Sequence, residues 1–191
     1  MLQKSKRPVI LAGNGINSVN LVNEFRNFVD LIGIPVVTSM IGRDVMPDDA
    51  FNNYGFVGTY GNRCANFIIS NSDLIISIGS RIDCRQTGSN LKIFAENAKI
   101  LKMDIDSGEL TNKIKDDEIS VVADLKKIIL MLNSEKFKLK DNYEKWIGAC
   151  NKVRDELKSI GLQYENDFIK AFSYNVPDNV IITTDVGQNQ V

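Results

Sequence analysis

The run Leu74-Ile-Ile-Ser-Ile78 places the tightest constraint on what this chain can become. It is short, almost wholly aliphatic and ended by Gly79. A half-exposed strand would alternate apolar and polar residues, whereas a continuous apolar run of this length fits a strand covered on both faces, as in a parallel α/β sheet. Arg81, Asp83 and Arg85 follow at once. In open α/β sheets the loops beyond the carboxyl ends of the strands line the ligand crevice. Two arginines and an aspartate in that loop are therefore placed for an anionic or nucleotide-like ligand. The plainer reading is a polar surface loop whose charges pair with one another.

Similar runs recur along the chain. Pro8-Val-Ile-Leu-Ala12 reads as a buried strand entering a glycine turn, Gly13-Asn-Gly15. Leu21, Val22, Phe25, Phe28, Val29 and Ile32 then follow at helical spacing, with Gly33 as the stop. Ile34–Ser39 reads as a second strand, which completes a unit long enough for a parallel crossover. Ile41–Gly61, rich in Gly, Asp and Asn, reads as a long loop of the kind that can carry function. A helix is expected over Asn62–Asn71, a third strand at Leu74–Ile78 and a short helix around Leu91–Ala98. Lys99–Ile105 and Ile119–Ala123 read as the fourth and fifth strands. Asp124 fits an N-cap for a helix carrying Leu125, Ile128, Ile129 and Leu132. Alternating strands and helices indicate an α/β fold with a mainly parallel sheet.

The pattern changes after Asn133. Ser134–Asp141 is lysine-rich and reads as a linker. Trp146, Ile147, Cys150, Val153, Leu157 and Ile160 resume helical spacing, with Trp146 expected as a packing anchor. A second helix is expected over Tyr164–Tyr174. Val180–Asp185 reads as another strand, running into Val186-Gly-Gln-Asn-Gln-Val191. A strand that ends in a glycine loop and then stops is odd for a finished domain, and the expectation is a fragment cut inside a further one.

Composition narrows the chemistry. With a net charge of -1 and no dense Lys/Arg patch, nucleic acid is not the expected partner. No apolar run approaches the roughly 18 residues of a membrane span, and Met1–Pro8 lacks the apolar core of a signal peptide. Cys64, Cys84 and Cys150 are odd in number and widely spaced, which fits reduced thiols in a cytoplasmic protein. The chain contains no histidine. Ser-His-Asp and Cys-His catalysis and histidine metal sites are thereby excluded within it.

Three further motifs bear on the chemistry. Gly13-Asn-Gly15 sits where backbone amides meet phosphate in dinucleotide sites, but Ser18 replaces the third glycine of that fingerprint. The second strand also ends Thr38-Ser39-Met40 without the acid that would hold ribose. A plain tight turn is the better reading there, which disfavours a free-standing NAD module. Asp104 and Asp106 match a metal-ligand pair in spacing alone and lack further ligands, so a solvated strand end is expected. Asp116-Asp-Glu118 reads as an exposed acidic loop.

Four segments carry a resemblance: Arg7-Pro-Val-Ile-Leu-Ala-Gly-Asn-Gly-Ile16, Gly33-Ile-Pro-Val-Val-Thr-Ser39, Asn71-Ser-Asp-Leu-Ile-Ile-Ser-Ile-Gly-Ser-Arg-Ile-Asp83 and Thr183-Thr-Asp-Val-Gly-Gln-Asn-Gln190. In this order and spacing the chain resembles, over nearly its whole length, thiamine diphosphate enzymes of the acetolactate synthase type. The similarity is to their central domain and the start of their carboxyl-terminal domain. It implies a six-stranded, parallel, Rossmann-like sheet flanked by helices, with the topology of the DHS-like NAD/FAD-binding domains. Residues 1–133 would be the central domain, 134–160 a linker and helix, and 161–191 the truncated start of the thiamine diphosphate-binding domain, opening with its first strand.

For function, the resemblance implies a fragment of a 2-keto acid decarboxylase or carboligase that uses thiamine diphosphate and Mg²⁺. In such enzymes the activating glutamate and the Gly-Asp-Gly…Asn motif lie in flanking domains. No catalytic residue or metal ligand is thus expected here, and the piece alone is expected to be inactive. The central domain binds FAD or ADP in several members and is structural in others, and a non-catalytic nucleotide-binding or scaffold domain stands as the alternative reading. A homo-oligomer, formed through the missing domains, is the expected assembly. The positions matching nucleotide contacts are Ser39 and Met40 after the second strand, and Thr59 and Tyr60 in Gly58-Thr-Tyr-Gly61. Gly79, Arg81, Asp83 and Arg85 follow the third strand, Asp104 and Ile105 end the fourth, and Asp124 follows the fifth. Arg81 or Arg85 would face phosphate, where a guanidinium fork suits the oxygens, and Asp104 would accept from ribose or adenine. Val186, Gly187, Gln188 and Asn189 match the loop that approaches thiamine diphosphate. Tyr60, Cys84, Gln86 and Asn189 depart from the residues usual in the flavin-binding synthases (histidine, aspartate, valine and histidine).

Overall fold

The computed structural model describes residues 1–134, 143–158, 160, 163–177 and 179–183. Its strands are β1 (Pro8–Ala12), β2 (Val36–Thr38), β3 (Asn53–Phe56), β4 (Leu74–Ile78), β5 (Lys99–Asp104) and β6 (Ile119–Val122). They form one sheet in the order β3-β2-β1-β4-β5-β6, and every neighbouring pair is parallel. This is the doubly wound order, with the chain departing in opposite directions from either side of β1. The α/β Rossmann-like expectation is met.

The two central strands are the two most aliphatic ones. Every residue of β1 is buried, as are four of the five in β4. Ile10 pairs with Val36 on one side and Ile76 on the other. Pro8 sits at the first position of β1, where its missing N–H removes least from the ladder.

The helices up to residue 134 are α1 (Gly15–Ser18), α2 (Val22–Ile32), α3 (Arg63–Asn71), α4 (Cys84–Thr87), α5 (Ser107–Thr111) and α6 (Leu125–Ser134). α2 buries Phe25, Phe28, Val29 and Ile32 and packs against α6. Burying one such side chain is worth about 1.5–3 kcal/mol, so this stripe, and not helix propensity, holds α2 in place. Gly33 ends it at φ 63°, its N–H bonded to the Val29 carbonyl. That left-handed position favours glycine. α3 buries Cys64, Ala65, Ile68 and Ile69. α6 begins at Asp124, whose carboxylate accepts from the Lys126 N–H at 2.9 Å.

α7 (Glu144–Lys158) buries Trp146 and Cys150. The Trp146 Nε1–H donates to the Pro8 carbonyl at 3.0 Å, so the indole is the anchor its sequence context implied. The residues divide into two compact units, Met1–Arg154 and Asp155 onward. The second contains α8 (Gln163–Asn175), which exposes Phe168, Ile169 and Phe172. Among the described residues no helix is long and apolar enough to cross a membrane.

Four expectations need correction. Ile41–Gly61 is not all loop: a 3₁₀ segment covers Met40–Val45, and β3 is a sixth strand. Asn53-Tyr-Gly-Phe56 has no β-branched residue to announce a strand; it is held by backbone bonds such as Val36 N–H to the Asn52 carbonyl and Val57 N–H to the Thr38 carbonyl. Leu91–Ala98 is a series of turns and no helix. Lys115 Nζ reaches in to donate to the carbonyls of Ala95, Glu96 and Ala98, taking acceptors a helix would have used. The short helices α1, α4 and α5 stand where the sequence reads as loop. Finally, Val180–Thr183 are not in a strand, and the remainder of that expected strand lies outside the described residues.

Candidate functional site

The strand ends are tied to one another beyond the ladder. Ser39 N–H donates to the Ala12 carbonyl at 2.8 Å, Gly13 N–H to Ile78 at 2.9 Å, Gly79 N–H to Met103 at 3.0 Å and Ala123 N–H to Asp104 at 2.9 Å. Each loop therefore leaves the sheet from a fixed point. Gly13 and Gly79 bring the ends of β1 and β4 together, and Gly79 turns at φ 63°. A Cβ on Gly13 would stand 2.0 Å from the Gly79 carbonyl oxygen, so only glycine fits this contact.

Above these ends lies a cleft of about 440 Å³. Its position over carboxyl strand ends, where the strand order reverses between β1 and β4, is the usual ligand site of open α/β sheets. Of the residues singled out from sequence, Ser39, Met40, Thr59, Tyr60, Gly79, Arg81, Asp83, Arg85 and Asp104 all line it. They come from loops far apart in the chain, and the fold alone gathers them. Ile105 and Asp124 do not line it. Ile105 lies one step past β5 and is 69% exposed, while the Asp124 carboxylate is occupied in capping α6. Val186, Gly187, Gln188 and Asn189 lie outside the described residues.

The loop after β3 is shaped by two asparagines. The Asn66 side chain accepts from the Gly58 N–H and donates to the Gly58 carbonyl, both at 2.9 Å. Asn62 Oδ1 accepts from the Phe56 N–H at 2.9 Å. Thr59 N–H then donates to the Arg85 carbonyl at 2.8 Å, which joins this loop to the one after β4. Within the loop after β4, Asp83 caps α4 by accepting from the N–H groups of Arg85 and Gln86. Gln86 Oε1 in turn accepts from the Ser80 hydroxyl at 3.2 Å.

The cleft combines several chemistries. Met40, Ile41, Phe56, Val57 and Tyr60 offer apolar and aromatic surface. Arg81 and Arg85 offer guanidinium groups. Ser39 is 3% exposed, and its Oγ is a buried polar atom without a hydrogen-bond partner among the described residues. Burying a hydroxyl unpaired costs about 1–3 kcal/mol. An orphan of this kind at the wall of a cleft is a place for a ligand's polar group.

Sequence reasoning set the Asn14-Gly15 turn aside as a plain tight turn, noted Gln86 only as a departure from the family, and did not single out Ile41, Phe56, Val57 or Ser80 as lining residues. The glycine turn at Asn14-Gly15 was a readable signal, because any turn leaving the central strand of a doubly wound sheet faces this crevice. Ser80 gave no signal in one sequence. A shallower depression of about 630 Å³ lies alongside, lined in part by Arg26 and Arg43. There Arg26 already donates to the carbonyls of Asp44 and Val45, and Arg43 lies over the Phe56 ring. Among the described residues no group of three or more Cys, Asp or Glu side chains is arranged to hold a metal.

Residues 1–132 match the family model described as thiamine pyrophosphate enzyme, central domain. The chain belongs to that family. The whole chain is also similar to curated acetolactate synthases. It is 34% identical over 212 residues to the probable acetolactate synthase large subunit of Methanococcus aeolicus, covering 100% of the chain and 35% of that relative. Against the acetolactate synthase large subunit of Lactococcus lactis the figures are 34% over 198 residues, with 100% and 33% covered. The chloroplastic enzyme of Arabidopsis thaliana is 32% identical over 200 residues, with 100% and 29% covered. The chain thus spans about a third of the length of these relatives. The thiamine pyrophosphate enzyme central domain accounts for the parallel sheet.

Proposed function

We propose that this chain supplies the central domain of a thiamine diphosphate-dependent enzyme acting on 2-keto acids, similar to acetolactate synthase, and that its cleft binds an adenine nucleotide such as FAD or ADP. Support for the first part comes from the family match and the full-length similarity to synthases. The single observation that carries the second is the orphaned Ser39 hydroxyl in the wall of a cleft that also presents Arg81 and Arg85. The donor set fits a nucleotide: guanidinium groups for phosphate oxygens, Asp104 as an acceptor for ribose or adenine, and the apolar loop residues for the base.

Among the described residues no group of three or more Cys, Asp or Glu side chains gathers to hold Mg²⁺, and on this reading thiamine diphosphate is held elsewhere in the whole enzyme. When bound to the whole enzyme, thiamine diphosphate supplies the carbanion chemistry. This chain's contribution is to position a nucleotide and to carry the domain. The 191-residue chain is accordingly expected to show no turnover of pyruvate with thiamine diphosphate and Mg²⁺; measurable decarboxylation would refute this.

Titration calorimetry with FAD and with ADP tests the nucleotide site. Binding in the submillimolar range that is lost in Arg81→Ala supports it. No heat with either ligand would leave the domain a scaffold.

A further inference from the structure

Arg81 does not stand free at the rim. Its Nε lies 3.4 Å from Glu109 Oε1, with the arginine side chain 72% and the glutamate side chain 27% exposed. Glu109 does not line the cleft; it reaches Arg81 from α5. That helix has reasons to stay put. Asp106 caps its start by accepting from the Gly108 N–H at 2.8 Å. Lys102, fully buried within β5, donates from Nζ to the carbonyl oxygen of Glu109 itself at 3.1 Å. Leu110, the next residue, is buried. The Glu109 carboxylate thus meets Arg81 at Nε from a fixed backbone.

The charges that face a ligand then tally against a polyanion. Arg81 and Arg85 share the cleft with Asp83 and Asp104, and Glu109 adds a third carboxylate behind Arg81. A terminal phosphate carries about one charge more than a phosphodiester, because its second ionisation lies near pH 6. Its extra oxygens also compete with Glu109 for the same guanidinium.

We propose that Glu109 is a specificity-determining residue of the cleft. By holding and partly neutralising Arg81, it selects phosphates esterified at both ends over terminal ones. The proposal rests on the nucleotide reading of the cleft.

ADP and ADP-ribose form a matched pair of probes: the same adenosine diphosphate, with a terminal phosphate in one and a diester in the other. Calorimetry of each with the wild-type chain and with Glu109→Gln, which keeps the shape of the side chain and the backbone bonds of α5, decides the matter. The substitution should raise ADP affinity roughly two- to fivefold, the range expected for one exposed ion pair, and leave ADP-ribose nearly unchanged. The gain should shrink as salt is raised, because screening weakens it. An equal change for both ligands, no change, or a loss of ADP affinity would overturn the role of Glu109 while leaving the nucleotide site intact. If neither ligand binds either protein, the nucleotide reading fails and this proposal fails with it.

Discussion

Gly13 and Gly79 lie in backbone contact at the ends of adjacent parallel strands, with no room for a methyl group between them. Because β1 and β4 are the centre of the sheet, this contact sets how closely the two halves of the cleft approach.

Gly13→Ala should therefore be severe. Its Cβ would meet backbone, which cannot rotate away as a side chain can. Overpacking of this kind costs about 1–3 kcal/mol or more, and urea denaturation should show at least that loss or an insoluble chain. Gly33→Ala is the control. Gly33 has φ 63° and nothing within 4 Å of a built Cβ, so only the left-handed strain of roughly 1–2 kcal/mol applies. Equal losses at the two sites would contradict the close-contact account.

The three cysteines should separate cleanly by reactivity. Cys84 is exposed, whereas Cys64 and Cys150 are buried. Burial, with neighbouring Cys64 adding to it, pushes the Cys150 thiol up to about 12. Since the thiolate is the reactive form, a disulfide dye under mildly alkaline conditions should consume one thiol per native chain quickly, with the other two appearing only on unfolding. Fast labelling of Cys150 in the folded protein, located by mass spectrometry, would count against the packing of α7.

Asp73 should make the fold sensitive to acid. Burial alone would raise its pKa; the Ser5 hydroxyl and the N–H groups of Lys6 and Arg7 outweigh this and hold the carboxyl below its usual range. A carboxylate with a folded pKa below its unfolded value, about 3.9, stabilises fully above the unfolded value. That stabilisation disappears as pH falls through the folded value. Asp73→Asn should lose roughly 1–2 kcal/mol at neutral pH and flatten the stability profile below about pH 4. An unchanged profile would show that the amino-terminal segment is not tethered by this group.

Trp146→Phe isolates one hydrogen bond. It keeps most of the apolar volume and leaves the Pro8 carbonyl without its indole donor, in a buried place. A loss of about 1–3 kcal/mol in chemical denaturation is expected, whereas a near-neutral effect would mean that packing alone seats α7.

How much of the fold is legible in the sequence depends on how each element is stabilised. β1, β4 and α2 announce themselves because their apolar patterns are local in the chain. β3 does not, since its stability comes from pairing at the sheet edge with β2 rather than from its own residues. The turns over residues 91–98 mislead for a related reason: Lys115, distant in sequence, supplies what organises them. Within the cleft, charged and hydroxyl-bearing residues at strand ends are legible, as are those the resemblance points to. Glu109 escapes because its approach to Arg81 exists only once α5 is folded across β5.

That every neighbouring pair in the sheet is parallel has a kinetic consequence. No such pair can zip up from a tight hairpin, so every ladder must wait for its crossover segment to collapse. The central pairing of Ile10 with Ile76 comes late for that reason, since β2, β3 and α3 intervene between them. Refolding of this chain should accordingly be slow for its size, with the aliphatic β1 and β4 segments exposed to wrong partners until they meet.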